Sequence, residues 1–154
     1  MQTMKRLFVI MLVSISIVSC SKDDDSNDNI VARKGIPLSG DQEVPVRATT
    51  ASGTVDISYD KTTRMLSYTV NWSGLSTIPT GSHIHGSAAR GVNAGVKHDF
   101  FPLIPRTMSG TFTNSFMVDG VAIKEDSLLN GFYYMNLHTT TWPGGEIRGQ
   151  LEFK

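Results

Sequence analysis

One cysteine, Cys20, is all the thiol this chain of 154 residues has, so no disulfide can form within it. Long apolar runs are missing as well. The longest uncharged one, Leu7 to Val18, is about 12 residues, short of the ~20 that a membrane-spanning helix needs. Charge of either sign is not in excess, with 14 basic and 14 acidic residues, and no basic footprint for a nucleic acid is left. Neither a Gly-x-Ser-x-Gly elbow nor a His-Glu-x-x-His helix occurs, and no Gly-rich loop precedes a helix to cradle a phosphate. Acyl transfer, zinc-protease chemistry and phosphoryl transfer therefore lack their parts.

What the N-terminus does have is Lys5-Arg6 followed by that short apolar run, the pattern of a signal peptide over residues 1–19. It ends at Ile17-Val18-Ser19-Cys20, which resembles a bacterial lipobox, in which the cysteine becomes the acylated first residue of the exported protein. A lone cysteine in an exported chain fits that use. The segment Ser21 to Asn29 has no apolar residue and cannot pack, so residues 20–34 read as a lipidated cysteine and a polar tether. Lys22 followed by Asp23-Asp24-Asp25 resembles the surface-export signal of some Gram-negative lipoproteins. The expected location is the outer membrane, with either a surface address or a plain spacer behind the lipid anchor. Loss of Lys5 and Arg6 leaves 12 basic against 14 acidic residues, a net charge of −2.

Residues 35–154 have a common size for one domain with one core. Their apolar residues alternate: Val55-Ile57-Tyr59 and Leu66-Tyr68-Val70-Trp72 flank Asp60-Lys61-Thr62-Thr63, which reads as a hairpin. Phe112, Phe116 and Val118, then Tyr133-Met135-Leu137, then Ile147, Leu151 and Phe153 continue the period of two. Turn residues interrupt the pattern at Ser73-Gly74, Pro79 to Gly81, Gly91 to Gly95, Asp119-Gly120 and Pro143 to Gly145. Only Ile123 to Asn130 can hold a short helical turn. The pattern predicts an all-β antiparallel sandwich or barrel.

Two of the four histidines stand one residue apart in Gly81-Ser82-His83-Ile84-His85-Gly86. On a strand they share a face, about 6.5 to 7 Å apart, while Ile84 points to the other. If Ile84 is in the core, both imidazoles are outside. The same rule places His138 on the outer face of its strand with Tyr134 and Asn136, and gives Glu146, Arg148 and Gln150 a polar outer face near the C-terminus. Such a His-x-His pair can present neutral nitrogens to Zn²⁺ or Cu²⁺, with His98 and His138 as third and fourth donors; it can equally be the polar outside of a sheet. Arg148 reads either as an ion pair with Glu146 or as an anion-attracting group beside the histidines.

Four blocks occur together and in order: Leu38 to Pro45 (LSGDQEVP), Ala51 to Val55 (ASGTV), His83 to Gly86 (HIHG) and Asn136 to Leu151 (NLHTTTWPGGEIRGQL). In this the chain resembles the chordin-type (CHRD) domain family. That resemblance implies an immunoglobulin-like β-barrel with a distant likeness to copper/zinc superoxide dismutase, in a family without an agreed enzymatic activity. The likeness implies metal ligands at His83, His85, His98 and His138, and an anion-guiding role for Arg148. The chain departs from the dismutase pattern in having no histidines in a zinc loop after His98, no cysteine pair, and a short loop from His138 to Arg148. A two-metal dismutase is excluded on ligand count, and a single copper or zinc site survives. The sequence thus predicts a lipid-anchored surface module that binds a protein or glycan or serves as a structural element, with a single-site copper or zinc protein of redox role as the alternative.

Overall fold

The computed structural model describes residues 28–154. The signal-peptide segment, Cys20 and the acidic stretch at Asp23 to Asp25 lie outside the described residues. Eight antiparallel strands make one sheet: β1 (Ile30–Ser39), β2 (Ser52–Asp60), β3 (Met65–Ser73), β4 (Pro79–Gly86), β5 (Val96–Asp99), β6 (Gly110–Met117), β7 (Tyr133–Thr139) and β8 (Ile147–Gln150). Their spatial order is β5-β4-β7-β8-β1-β2-β3-β6, and the sheet curls into a half-barrel. The only α-helix among the described residues is α1 (Glu125–Leu129), inside the stretch that the sequence left open to a helical turn.

Alternation decides which face is buried. Val55, Ile57 and Tyr59 on β2 and Leu66, Tyr68, Val70 and Trp72 on β3 are all buried, and they meet Ile84, Met135, Leu137, Ile147 and Leu151 from the other half of the sheet. Removing this much apolar surface from water at roughly 25 cal/mol per Å² is the main force that curls the sheet onto itself. The hairpin β2–β3 pairs in unbroken register from Ser52↔Ser73 to Asp60↔Met65, and Asp60 closes its turn by accepting from the Thr62 and Thr63 amides. On the concave side the two edge strands approach each other through side chains, the His98 ring of β5 stacking on Phe116 of β6 with 3.9 Å between centroids.

The first strand reaches back to Ile30, paired with Asp60, into the stretch assigned to the tether. Ile30 and Val31 supply the apolar side chains that residues 21–29 lack, and Val31 packs against the core.

Strands β7 and β8 depart from one-sided burial: all but His138 of their residues are buried, on both faces. The outer face at this point is covered by the segments 40–47, 87–95 and 140–146. Arg47 donates from Nε to the Gly145 carbonyl, Asn93 Nδ2 donates to the Val44 carbonyl, and Gln150 Nε2 donates to the carbonyls of Ala88 and Gly131. The outward polar side chains of this half of the sheet therefore form a second, polar interior, in which buried groups must find partners. On the opposite, core side Gly149 allows β1 to approach closely, since a Cβ on it would sit 2.5 Å from the Pro37 carbonyl oxygen and 2.7 Å from Leu38 Cδ2.

Candidate metal centre

Pairing of β4 with β7 sets Ile84 opposite Met135, His83 opposite Asn136 and Gly81 opposite His138. Ile84 is wholly buried in the core, so His83 and His85 project to the other face, as period-two geometry requires. There they meet His138. One nitrogen from each of His83, His85 and His138 lies within 4.8 Å of the other two. His83 Nδ1 and His138 Nε2 are 3.0 Å apart, and the ring centroids of His83 and His85 are 5.5 Å apart. Gly81 leaves the room: a Cβ there would lie 3.0 Å from His83 Cε1 and 3.3 Å from His138 Cδ2.

The covering segments fix how these rings are turned. His85 Nδ1 lies 2.9 Å from the Ala94 carbonyl oxygen and His138 Nδ1 lies 2.9 Å from that of Pro143. A carbonyl only accepts, so both Nδ1 atoms carry the proton and both Nε2 lone pairs face the cluster. His83 is turned the other way, with Nδ1 toward the cluster and Nε2 3.8 Å from an Asp99 carboxylate oxygen. His85 and His138 thus each have a hydrogen-bonded acceptor behind them, the arrangement that orients metal-binding histidines and raises their basicity, while the Asp99 carboxylate lies beyond hydrogen-bond distance of His83.

Burial keeps the rings uncharged. His85 is 8 % exposed, and desolvation lowers the pKa of His83 and of His85. For His138, burial first, and then the neighbouring His83 and His85, lower it to about 4, against the raising effect of the Pro143 carbonyl. At neutral pH the cluster is therefore uncharged: the Nε2 lone pairs of His85 and His138 face inward, and His83 Nδ1 carries a ring proton toward His138 Nε2 that a metal ion would displace to Nε2. Three neutral imidazole nitrogens, with no thiolate and no carboxylate in direct reach, suit Zn²⁺ or Cu²⁺, which bind nitrogen at about 2.0–2.1 Å.

His98 is not brought to this cluster. It pairs with Ile84 in the register of β4 and β5, which shift between Ile84 and His85, and so it shares the core face with Ile84. Its ring lies among Phe116, Phe100 and Tyr68, and its buried Nε2 has no hydrogen-bond partner. The fourth-donor role expected of it does not fit this placement, because the sheet itself stands between His98 and the other three.

Arg148 does not meet its expected roles either. It is 1 % exposed; its guanidinium donates to the Val92 carbonyl at 2.9 Å and to Asn93 Oδ1 at 3.2 Å, and lies 3.4 Å from the Tyr134 ring centre. That enclosure leaves no open edge for an anion. Glu146, the expected ion-pair partner, instead accepts from Thr49, Ser76 and Thr139 on the other side of the sheet. The strand begins only at Ile147, so the alternation that would have put Glu146 beside Arg148 does not extend to it.

Residues that sequence reasoning did not single out complete the surroundings. Tyr134 stacks on His85 at 4.8 Å with 3° between planes, Asn136 lies between two of the imidazoles, and Glu43 accepts from Asn136 Nδ2 at 3.4 Å. Tyr134 and Asn136 were readable as neighbours of His138 on one face. The carbonyls of Ala94 and Pro143 carry no sequence signal, since every residue has one.

A curled half-barrel sheet with a three-histidine cluster beneath loops defines an all-β domain of the kind that serves as a binding or structural module. The CHRD domain profile matches residues 35–151, and the chain belongs to that family. No curated protein and no solved structure matches the chain.

Proposed function

We propose that this chain is an exported module, anchored to the outer membrane by a lipid on Cys20, whose ligand is a single transition-metal ion held by His83, His85 and His138. The carrying observation is the cluster itself: three neutral imidazole nitrogens within 4.8 Å of one another, two of the rings held from behind by backbone carbonyls. A chance group of surface histidines has no such backing. The anchor and the address rest on the lipobox-like Ile17 to Cys20 and on the apolar-free segment that follows. Binding and storage or delivery of the ion fit the enclosed Arg148 better than turnover of an anionic substrate.

Calorimetric titration of the purified protein with Zn²⁺ and Cu²⁺ tests the reading. One equivalent should bind with a dissociation constant below about 1 µM, and His85→Ala should abolish that step, since removal of one of three ligands loses the chelate. Binding no tighter than tens of micromolar, or unchanged in His85→Ala, refutes it.

A further inference from the structure

The three histidines leave one feature of the cluster without a reason. Asn136 Oδ1 lies 3.0 Å from His85 Nε2 and 2.9 Å from His138 Nε2. Both Nε2 atoms are acceptors, because the protons of those rings are committed to the Ala94 and Pro143 carbonyls. The amide oxygen is an acceptor too. The amide's own N–H groups point away, toward Glu43 Oε1 at 3.4 Å. The only ring proton directed into the cluster is that of His83, whose Nδ1 is 3.0 Å from His138 Nε2. Acceptors therefore converge within hydrogen-bonding distance in a place where Asn136 is 2 % exposed, a costly arrangement unless something positive lies between them.

We propose that Asn136 Oδ1 is the fourth donor of the metal centre, so that the site is three imidazole nitrogens and one amide oxygen. This rests on the three-histidine reading and adds the class of ion. The spacings of 2.9–3.0 Å along His83 Nδ1, His138 Nε2, Asn136 Oδ1 and His85 Nε2 are close to those of neighbouring donors in a square plane around one ion and a few tenths of an ångström short of tetrahedral ones. Bonds of about 2.0–2.1 Å give neighbouring donors about 3.4 Å apart in a tetrahedron and about 2.8 Å in a square plane. An amide oxygen is a hard donor, and no sulfur is present in the cluster, so the site selects a divalent ion such as Zn²⁺ or Cu²⁺ over monovalent copper. Glu43 is the positioning residue: accepting from Nδ2, it holds the oxygen edge of the amide toward the imidazoles.

The test compares the intact protein with Asn136→Ala, Asn136→Asp and His85→Ala, each checked for native circular dichroism. Zn²⁺ affinity by competition should fall about 10- to 100-fold in Asn136→Ala with one-to-one stoichiometry kept. It should recover in Asn136→Asp, which retains an oxygen at that place, while Cu⁺ affinity should change less than about twofold in either. The visible spectrum of the Co²⁺-loaded protein should shift in Asn136→Ala as water replaces the amide. Because Asn136 is buried, the wild-type protein provides a second measurement: with asparagine carboxamides ¹³C-labelled, the Asn136 signal should move on addition of one equivalent of Zn²⁺. Wild-type Zn²⁺ affinity and an unchanged Co²⁺ spectrum in Asn136→Ala, or an unmoved carboxamide signal, overturns the fourth-donor assignment and means that the amide is turned to donate to the rings. If His85→Ala binds as the wild type does, it is instead the three-histidine reading that fails.

Discussion

Replacement of Arg148 by methionine keeps most of the side-chain volume and deletes the guanidinium, and it tests how the loop over the histidines is held. Two charge-assisted hydrogen bonds, to the Val92 carbonyl at 2.9 Å and Asn93 Oδ1 at 3.2 Å, would be lost, together with the cation–π contact to Tyr134 at 3.4 Å. Hydrogen bonds to a charged donor contribute about 1.5–3 kcal/mol each and a desolvated cation–π contact about 2 kcal/mol. Relief from burying a cation offsets part of that sum, and the loop carbonyls regain water. A loss of about 4 kcal/mol is expected, in line with the 3–5 kcal/mol typical of breaking a buried charged network. For a domain of this size that lowers Tm by roughly 15 °C. Urea unfolding followed by tryptophan fluorescence measures the loss, and hydrogen exchange at Val92 to Gly95 locates it. A loss below about 1 kcal/mol with protected amides in that segment would refute the view that Arg148 pins the loop.

Acid should weaken the metal-free protein through the same cluster. His138 stays neutral in the folded chain down to about 4, against 6.5 in the unfolded one; between these values only the unfolded chain takes up the proton. The stability is therefore present above about 6.5 and is lost as pH falls to about 4, by about 2 kcal/mol after allowance for partial exposure. Denaturant titrations in chelator at pH 7 and pH 4.5 should show this slope in wild type and a shallower one in His138→Gln; equal slopes would contradict it. His98→Phe should raise stability by about 1 kcal/mol, because it removes an unpartnered buried nitrogen from an aromatic cluster, and should leave Zn²⁺ affinity unchanged; a fall in affinity would return His98 to the ligand set. Cys20→Ser should release the protein from the membrane fraction and abolish labelling with radioactive fatty acid, and persistence in that fraction would refute the lipid anchor.

Much of the fold could be read from the chain because burial is one-sided in its larger half. Val55 to Tyr59 and Leu66 to Trp72 alternate cleanly, and they form the hairpin where the pattern placed it. The position of His83 and His85 followed from the burial of Ile84 alone. Legibility failed where a local rule depended on long-range placement. Nothing in the spacing of His98 says that a register shift will turn it toward the core. Glu146 and Arg148 seemed to share a face because alternation was extended one residue beyond the strand. The polar outer face of β7 and β8 gave no hint of its cover, since residues 91–95 and 143–145 carry turn signals but not a destination, and residues 40–47 carry no pattern that says what they lie on. That cover turns exposed imidazoles into a partly buried set in which His85 and His138 are oriented by backbone carbonyls, and it makes Arg148 a cross-link instead of an open cationic patch.

X-ray absorption at the zinc edge of the protein loaded with one equivalent of Zn²⁺ addresses the central claim most directly. The account predicts a four-coordinate ion with imidazole scattering from three histidines at about 2.0 Å, reduced in His83→Ala and His138→Ala but not in His98→Phe. A spectrum of oxygen donors without imidazole outer shells, or one that those two substitutions leave unchanged, would contradict it.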